Sequence, residues 1–132
     1  LRMKQHCENA LAVAQFLEKH PKIKGVNYLG LKSHADHTLA KKQMTDFGGV
    51  LSFELKGGYR SALALLKKVK LCLLTASLGT TDTLIQHPAS MSHYFVPKDQ
   101  REQYGITDGL VRLSVGLEDV EDIIADLTAA LQ

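Results

Sequence analysis

Apolar residues at three- and four-residue steps open the chain. Met3, Cys7, Ala10, Ala14 and Leu17 share one face of a helix predicted over residues 1–20. His20-Pro21 stops it, because the residue before a proline avoids the α region. Gly25-Val26-Asn27-Tyr28-Leu29 is a short extended run closed by Gly30, and a second helix is expected from about His34 to Met44. After the turn signal Phe47-Gly48-Gly49, the residues Val50, Leu51, Phe53 and Leu55 predict a largely buried strand. Tyr59 to Lys70 returns to helical period, and Leu71 to Ala76 is an apolar run of strand length closed by Ser77-Leu78-Gly79. Residues 80–108 lack a clear period and read as a long excursion with one short helix near Lys98 to Tyr104. The stretch from Gly109 to Gly116 alternates apolar and polar positions, as a strand with one wet face does. Val120, Ile123, Ile124, Leu127 and Leu131 then form the apolar stripe of a last helix, with Glu118, Asp119, Glu121 and Asp122 at its positive end.

The elements amount to an α+β domain: a four-stranded, mostly antiparallel sheet with helices on one face. At 132 residues, 45% of them apolar, the chain can bury a core without disulfides or a structural metal. No apolar run approaches the roughly 18 residues of a membrane span, and residues 1–8 have no signal-peptide pattern. A start without Met, directly in a helix, predicts a piece of something longer. Cys7 and Cys72 lie far apart without metal spacing and are expected to be small core hydrophobes in a reduced, cytoplasmic chain.

Charge divides the sequence. Residues 1–70 hold thirteen Lys/Arg against five Asp/Glu, and residues 71–132 hold three against nine. The basic residues are scattered and lack interleaved aromatics, so two halves that offset each other's fields are expected in place of a nucleic-acid face.

Few residues carry chemistry by pattern. His34 and His37 are spaced for a metal on a helix but have no third ligand. His87 and His93 flank Pro88 without a carboxylate partner. Arg112 stands apart, as a cation in a strand interior between Val111 and Leu113. There it either faces solvent on the polar side of the sheet or grips a carboxylate with its planar fork. Ser77, ending what reads as the neighbouring strand, could bring a hydroxyl and a backbone N–H to the same anion site. By pattern alone, a free-standing small-molecule-binding or oligomerisation module fits as well as an enzyme.

One long stretch is far more specific: Ser77-Leu78-Gly79, then Gln86-His87-Pro88-Ala89-Ser90-Met91-Ser92-His93, then the run from Gly105 to Asp119. Together with Leu1-Arg2-Met3, the run from His6 to Ala10 and Phe47 to Phe53, it resembles the small C-terminal domain of the pyridoxal-phosphate-dependent trans-sulfuration family. That family includes cystathionine γ-synthase, cystathionine γ-lyase, methionine γ-lyase and the homoserine-ester sulfhydrylases. The resemblance spans essentially the whole chain. It implies that residues 1–132 are the C-terminal, substrate-binding domain of a fold-type I enzyme whose cofactor domain precedes it. The family's cofactor lysine lies in that other domain, in a Ser-x-Thr-Lys setting that this sequence does not contain. The resemblance therefore implies no catalytic residue here, and a chain inactive alone that acts with its own cofactor domain, in a homotetramer, on an amino acid.

The resemblance also assigns roles. Arg112 matches the arginine that binds the substrate's α-carboxylate, Ser77 the serine lining the same site, and Ser92 a hydroxyl position often held by threonine. A bidentate grip on the carboxylate fixes the rotation of the amino acid, which lysine at that position would not do. Ala76 departs from the glutamate that cystathionine-handling members often carry before Ser-Leu-Gly. A small apolar side chain there suits a thioether, so the resemblance leans toward a methionine γ-lyase-like activity, with cystathionine or homoserine-ester chemistry as the alternative. Tyr28-Leu29-Gly30 and Ala35 also depart from the family, at loop positions often held by proline.

Overall fold

The computed structural model describes all of residues 1–132. Five helices are present: α1 (Arg2–Glu18), α2 (His37–Gln43), α3 (Gly58–Lys68), α4 (Lys98–Gln103) and α5 (Val120–Leu131). Five strands form one sheet: β1 (Ile23–Asn27), β2 (Val50–Leu55), β3 (Leu73–Leu74), β4 (Leu84–Gln86) and β5 (Leu110–Ser114). Their order is β1-β2-β5-β4-β3. β1–β2, β2–β5 and β4–β5 are antiparallel, and β3–β4 is parallel. The expected four-stranded sheet is thus a five-stranded mixed one.

Two sequence expectations change with it. The excursion over 80–108 contains β4, which inserts between β5 and β3. Its three residues are too few to carry a period, and its identity comes from pairing with two partners far along the chain. The apolar run from Leu71 to Ala76 shrinks to the two residues of β3, at the sheet edge, where Leu73 and Leu74 are about half exposed. Ser77 therefore does not end a strand beside that of Arg112; β4 lies between them.

The other elements follow from side-chain period. Leu51, Phe53 and Leu55 alternate on β2, join Val111 and Leu113 of β5, and pack under α1, α3 and α5 in one core. On α1 the buried stripe runs through Cys7, Ala10, Val13, Ala14 and Leu17, while Met3, expected on it, is exposed. Asp119 caps α5, its carboxylate accepting from the Glu121 N–H at 2.9 Å. Elements of the two oppositely charged halves pack together through α5 on α1 and α3. The side-chain ion pairs stay within each half. Both cysteines are free and buried. No helix is long and apolar enough to cross a membrane.

Candidate functional site

The face of the sheet turned away from α1, α3 and α5 carries the polar positions of the same strands. α4 belongs to the segment over this face, so the helices do not all lie on one side as expected. Register sets Ser52 of β2 and Gln86 of β4 on either side of Arg112 of β5, so three polar side chains stand in a row across the sheet. Residues 88–106 pass over this row. Between them and the sheet lies a cavity of about 370 Å³, lined among others by Ser52, Gln86, Ser92, His93 and Arg112.

Arg112 reaches along the sheet surface past β4. Its Nη2 donates to the carbonyl oxygens of Ala76 at 3.1 Å and Ser77 at 2.7 Å. No carboxylate lies within ion-pairing distance of the guanidinium, and its buried Nε–H has no partner. The cation is thus held by neutral acceptors only, and it points at the exposed 76–79 loop. That loop is fixed from below: the Gly79 N–H donates to Ser114 Oγ at 2.9 Å, and Gly79 takes φ +78°, a backbone that disfavours any side chain.

Ser92 reaches the cavity by another route. Gln86, almost wholly buried, donates from Nε2 to Ser92 Oγ, which in turn lies 2.9 Å from His93 Nδ1. A hydroxyl that accepts from an amide keeps its single proton for the ring, so Nδ1 of His93 is the acceptor. The overpassing segment is held by buried groups. His87 donates from Nε2 to the Asp108 carbonyl at 2.9 Å and accepts at Nδ1 from Ser90 Oγ at 2.8 Å. Burial holds His87 below the ordinary histidine range, so the neutral ring this pattern requires is the stable one. Arg101 donates to the Ile106 carbonyl at 2.8 Å and pairs with Asp108, which also meets Lys98.

The four expected substrate contacts do not lie together in one way. Arg112 meets Ala76 and Ser77 through their backbone carbonyls, while the Ser77 side chain is exposed and makes no hydrogen bond. Ser92 lines the cavity with Arg112 and is tied to the sheet through Gln86. Gln86 and Ser52 were not legible as site residues, because each needs the strand register to be seen. Glu118 does more than complement the helix end. Its carboxylate accepts from Thr83 N–H at 2.6 Å and Thr83 Oγ1 at 2.8 Å, and Asn9 Nδ2 donates to the carbonyls of Gly116 and Glu118, each at 3.0 Å. These bonds fix the end of β5 beyond Arg112.

The remaining candidates are structural. His34 bonds Asn27 Oδ1 at 2.7 Å, and His37 donates from Nδ1 to the Leu29 carbonyl at 2.7 Å; neither belongs to a metal-holding cluster. Burial, and then the neighbouring Asp126 carboxylate, push the Cys72 thiol well above its usual range, which leaves it protonated and unreactive.

None of the twelve lysines lines the cavity around Arg112. The residues present thus fit an anion such as a small carboxylate and do not fit a covalently held pyridoxal phosphate.

Residues 1–132 match in full the family described as Cys/Met metabolism PLP-dependent enzyme. An L-methionine gamma-lyase of Fusobacterium nucleatum subsp. polymorphum is 61% identical over 132 residues, covering 100% of this chain and 33% of the relative. A cystathionine beta-lyase of Coxiella burnetii is 51% identical over 131 residues, 99% of this chain and 34% of the relative. A cystathionine gamma-lyase of Sus scrofa is 51% identical over 132 residues, 100% of this chain and 33% of the relative. The chain spans about a third of the length of these relatives. With all of residues 1–132 inside the match, the chain belongs to the Cys/Met metabolism family of pyridoxal-phosphate-dependent enzymes.

Proposed function

We propose that this chain is the substrate-carboxylate-binding part of a pyridoxal-phosphate-dependent sulfur amino acid lyase. In this reading Arg112 grips the α-carboxylate, with Ala76, Ser77 and Ser92 as the nearby wall. The observation that carries it is the Arg112 guanidinium, held only by two carbonyl oxygens at an exposed loop, with no acidic side chain to neutralise it. A substrate carboxylate is a stronger acceptor than either carbonyl and matches the fork in shape. Arg112 thereby binds and orients the amino acid, and the cavity walls limit what its side chain can be.

The favoured reaction is that of a methionine γ-lyase, γ-elimination that releases a thiol, 2-oxobutanoate and ammonia. Ala76 supports it: the side chain beside the arginine's anchor is small and apolar, as a thioether tail requires. The relatives named as methionine gamma-lyases support it too, while those named as cystathionine lyases keep cystathionine as the second substrate to be tested. The cofactor lysine belongs, in this reading, to a separate domain of the same polypeptide, and the intact protein is a cytoplasmic homotetramer. The expected order has the cofactor domain first. A Ser-x-Thr-Lys motif upstream of Leu1 in the reading frame supports that order, and one downstream of Gln132 reverses it.

The test is a product assay of the intact protein with methionine and cystathionine in parallel. Faster thiol release from methionine is expected; cleavage of cystathionine alone would overturn the substrate assignment. Arg112→Ala should raise KM for methionine by at least about 30-fold, because a buried charged hydrogen-bonded pair is worth roughly 2–5 kcal/mol. An unchanged KM would remove Arg112 from the site.

A further inference from the structure

Two buried polar atoms of the site have no hydrogen-bond partner: Arg112 Nε and Gln86 Oε1. One is a donor and the other an acceptor. Their residues stand directly opposite each other in the β4–β5 register, so the side chains leave the same face of the sheet as cross-strand neighbours. Orphaned buried polar groups are rare because each costs free energy, and a complementary pair on facing positions points to a bond made in another state of the site. The other end of the same amide is engaged: Gln86 Nε2 donates to Ser92 Oγ.

We infer that Gln86 is a positioning residue for Arg112, its Oε1 accepting the Nε–H when the guanidinium turns from the 76–77 carbonyls to a substrate carboxylate. This rests on the reading of Arg112 as the carboxylate clamp. Nη2 is spent on Ala76 and Ser77 without ligand. Once Nη2 serves the carboxylate, the guanidinium loses its internal anchors, and a planar fork with free rotation would lose its directional value. An acceptor on the neighbouring strand holds the plane. Because the same amide grips Ser92, the orientation of the clamp and the position of the hydroxyl across the cavity are set by one side chain. Glutamine suits this place because it accepts at one end and donates at the other, and its neutrality leaves the cation to the substrate.

The experiment is a double-mutant cycle in the intact holoenzyme with methionine as substrate, using Gln86→Met, Arg112→Lys and the pair. Gln86→Met keeps length and removes both polar ends. It should raise KM about tenfold with kcat held within about twofold, the loss of a hydrogen bond to a charged group that acts in binding. Lysine has no Nε–H in that position, so in the Arg112→Lys background Gln86→Met should add less than about twofold. A full multiplicative penalty in that background, or a fall in kcat with KM unchanged, would overturn the inference. If Gln86→Met fails to fold, Gln86→Glu takes its place. Glutamate would pair with Arg112 internally and should raise KM at least as far; an unchanged or lowered KM overturns the inference equally. An Arg112→Lys variant with wild-type KM would instead sink the underlying assignment of Arg112.

Discussion

The two faces of the central sheet are built from the same strands and differ in how completely their atoms are satisfied. Under α1, α3 and α5, Leu51, Phe53, Val111 and Leu113 are almost wholly buried in a continuous apolar core. One residue along each strand, Ser52, Gln86 and Arg112 face a cavity, and two of the three carry buried polar atoms without partners. The period of two thus divides labour. Odd positions of β2 and β5 supply stability, and even ones supply a cation in a setting that stability alone would not select.

The division is exposed to direct test, most severely on the covered face. Phe53→Ala should cost about 3–5 kcal/mol in urea unfolding, as a large cavity in a sealed core does; a loss under about 1 kcal/mol would show the helices closing over the gap. Next is the turn that joins the faces. Glu118→Ala frees Thr83 N–H and hydroxyl from a carboxylate and should cost about 2 kcal/mol by the same measurement. Smaller and pH-dependent is Asp126 on α5, whose carboxylate accepts from the N–H groups of Lys70, Leu71 and Cys72 at 2.7, 3.0 and 3.0 Å. Burial alone would raise its pKa, but the three backbone donors outweigh it and hold it below the ordinary 3.8. Its stabilisation is therefore full above that value and is lost as pH falls through the lower folded one. Asp126→Asn should cost about 1 kcal/mol near neutral pH, and the gap from wild type should close in acid. A gap that persists there would assign the effect to packing. The polar face should barely register: Arg112→Ala is expected to shift unfolding by less than about 0.5 kcal/mol while changing KM steeply.

Much of this was legible before any coordinates. Val50–Leu55 emerges as β2 with the predicted bounds, since its apolar run is long and bracketed by Gly48-Gly49 and Gly57-Gly58. α5 follows its stripe, and Arg112 declares itself as a charge amid strand residues. What stayed hidden depends on pairing between distant segments. Leu84-Ile85-Gln86 is too short to have a period, and Gln86 acquires meaning only opposite Arg112. Leu73 and Leu74 have the hydrophobicity of a core strand but lie on an edge, where no local pattern reports exposure. Ser92 reaches the cavity from an irregular segment and is tied to β4 by one amide, so family resemblance could single it out and period could not.

The hold of two main-chain oxygens on Arg112 has a kinetic consequence. If Arg112 takes a carboxylate as proposed, the acid group displaces ready-made bonds, so the net gain on capture is the difference between charged and neutral acceptors and not the whole of the new contact. On departure the oxygens of residues 76 and 77 stand ready to receive the cation again. Under the proposed role, a resting place for the guanidinium so close by would limit how tightly any carboxylate, spent or fresh, can linger.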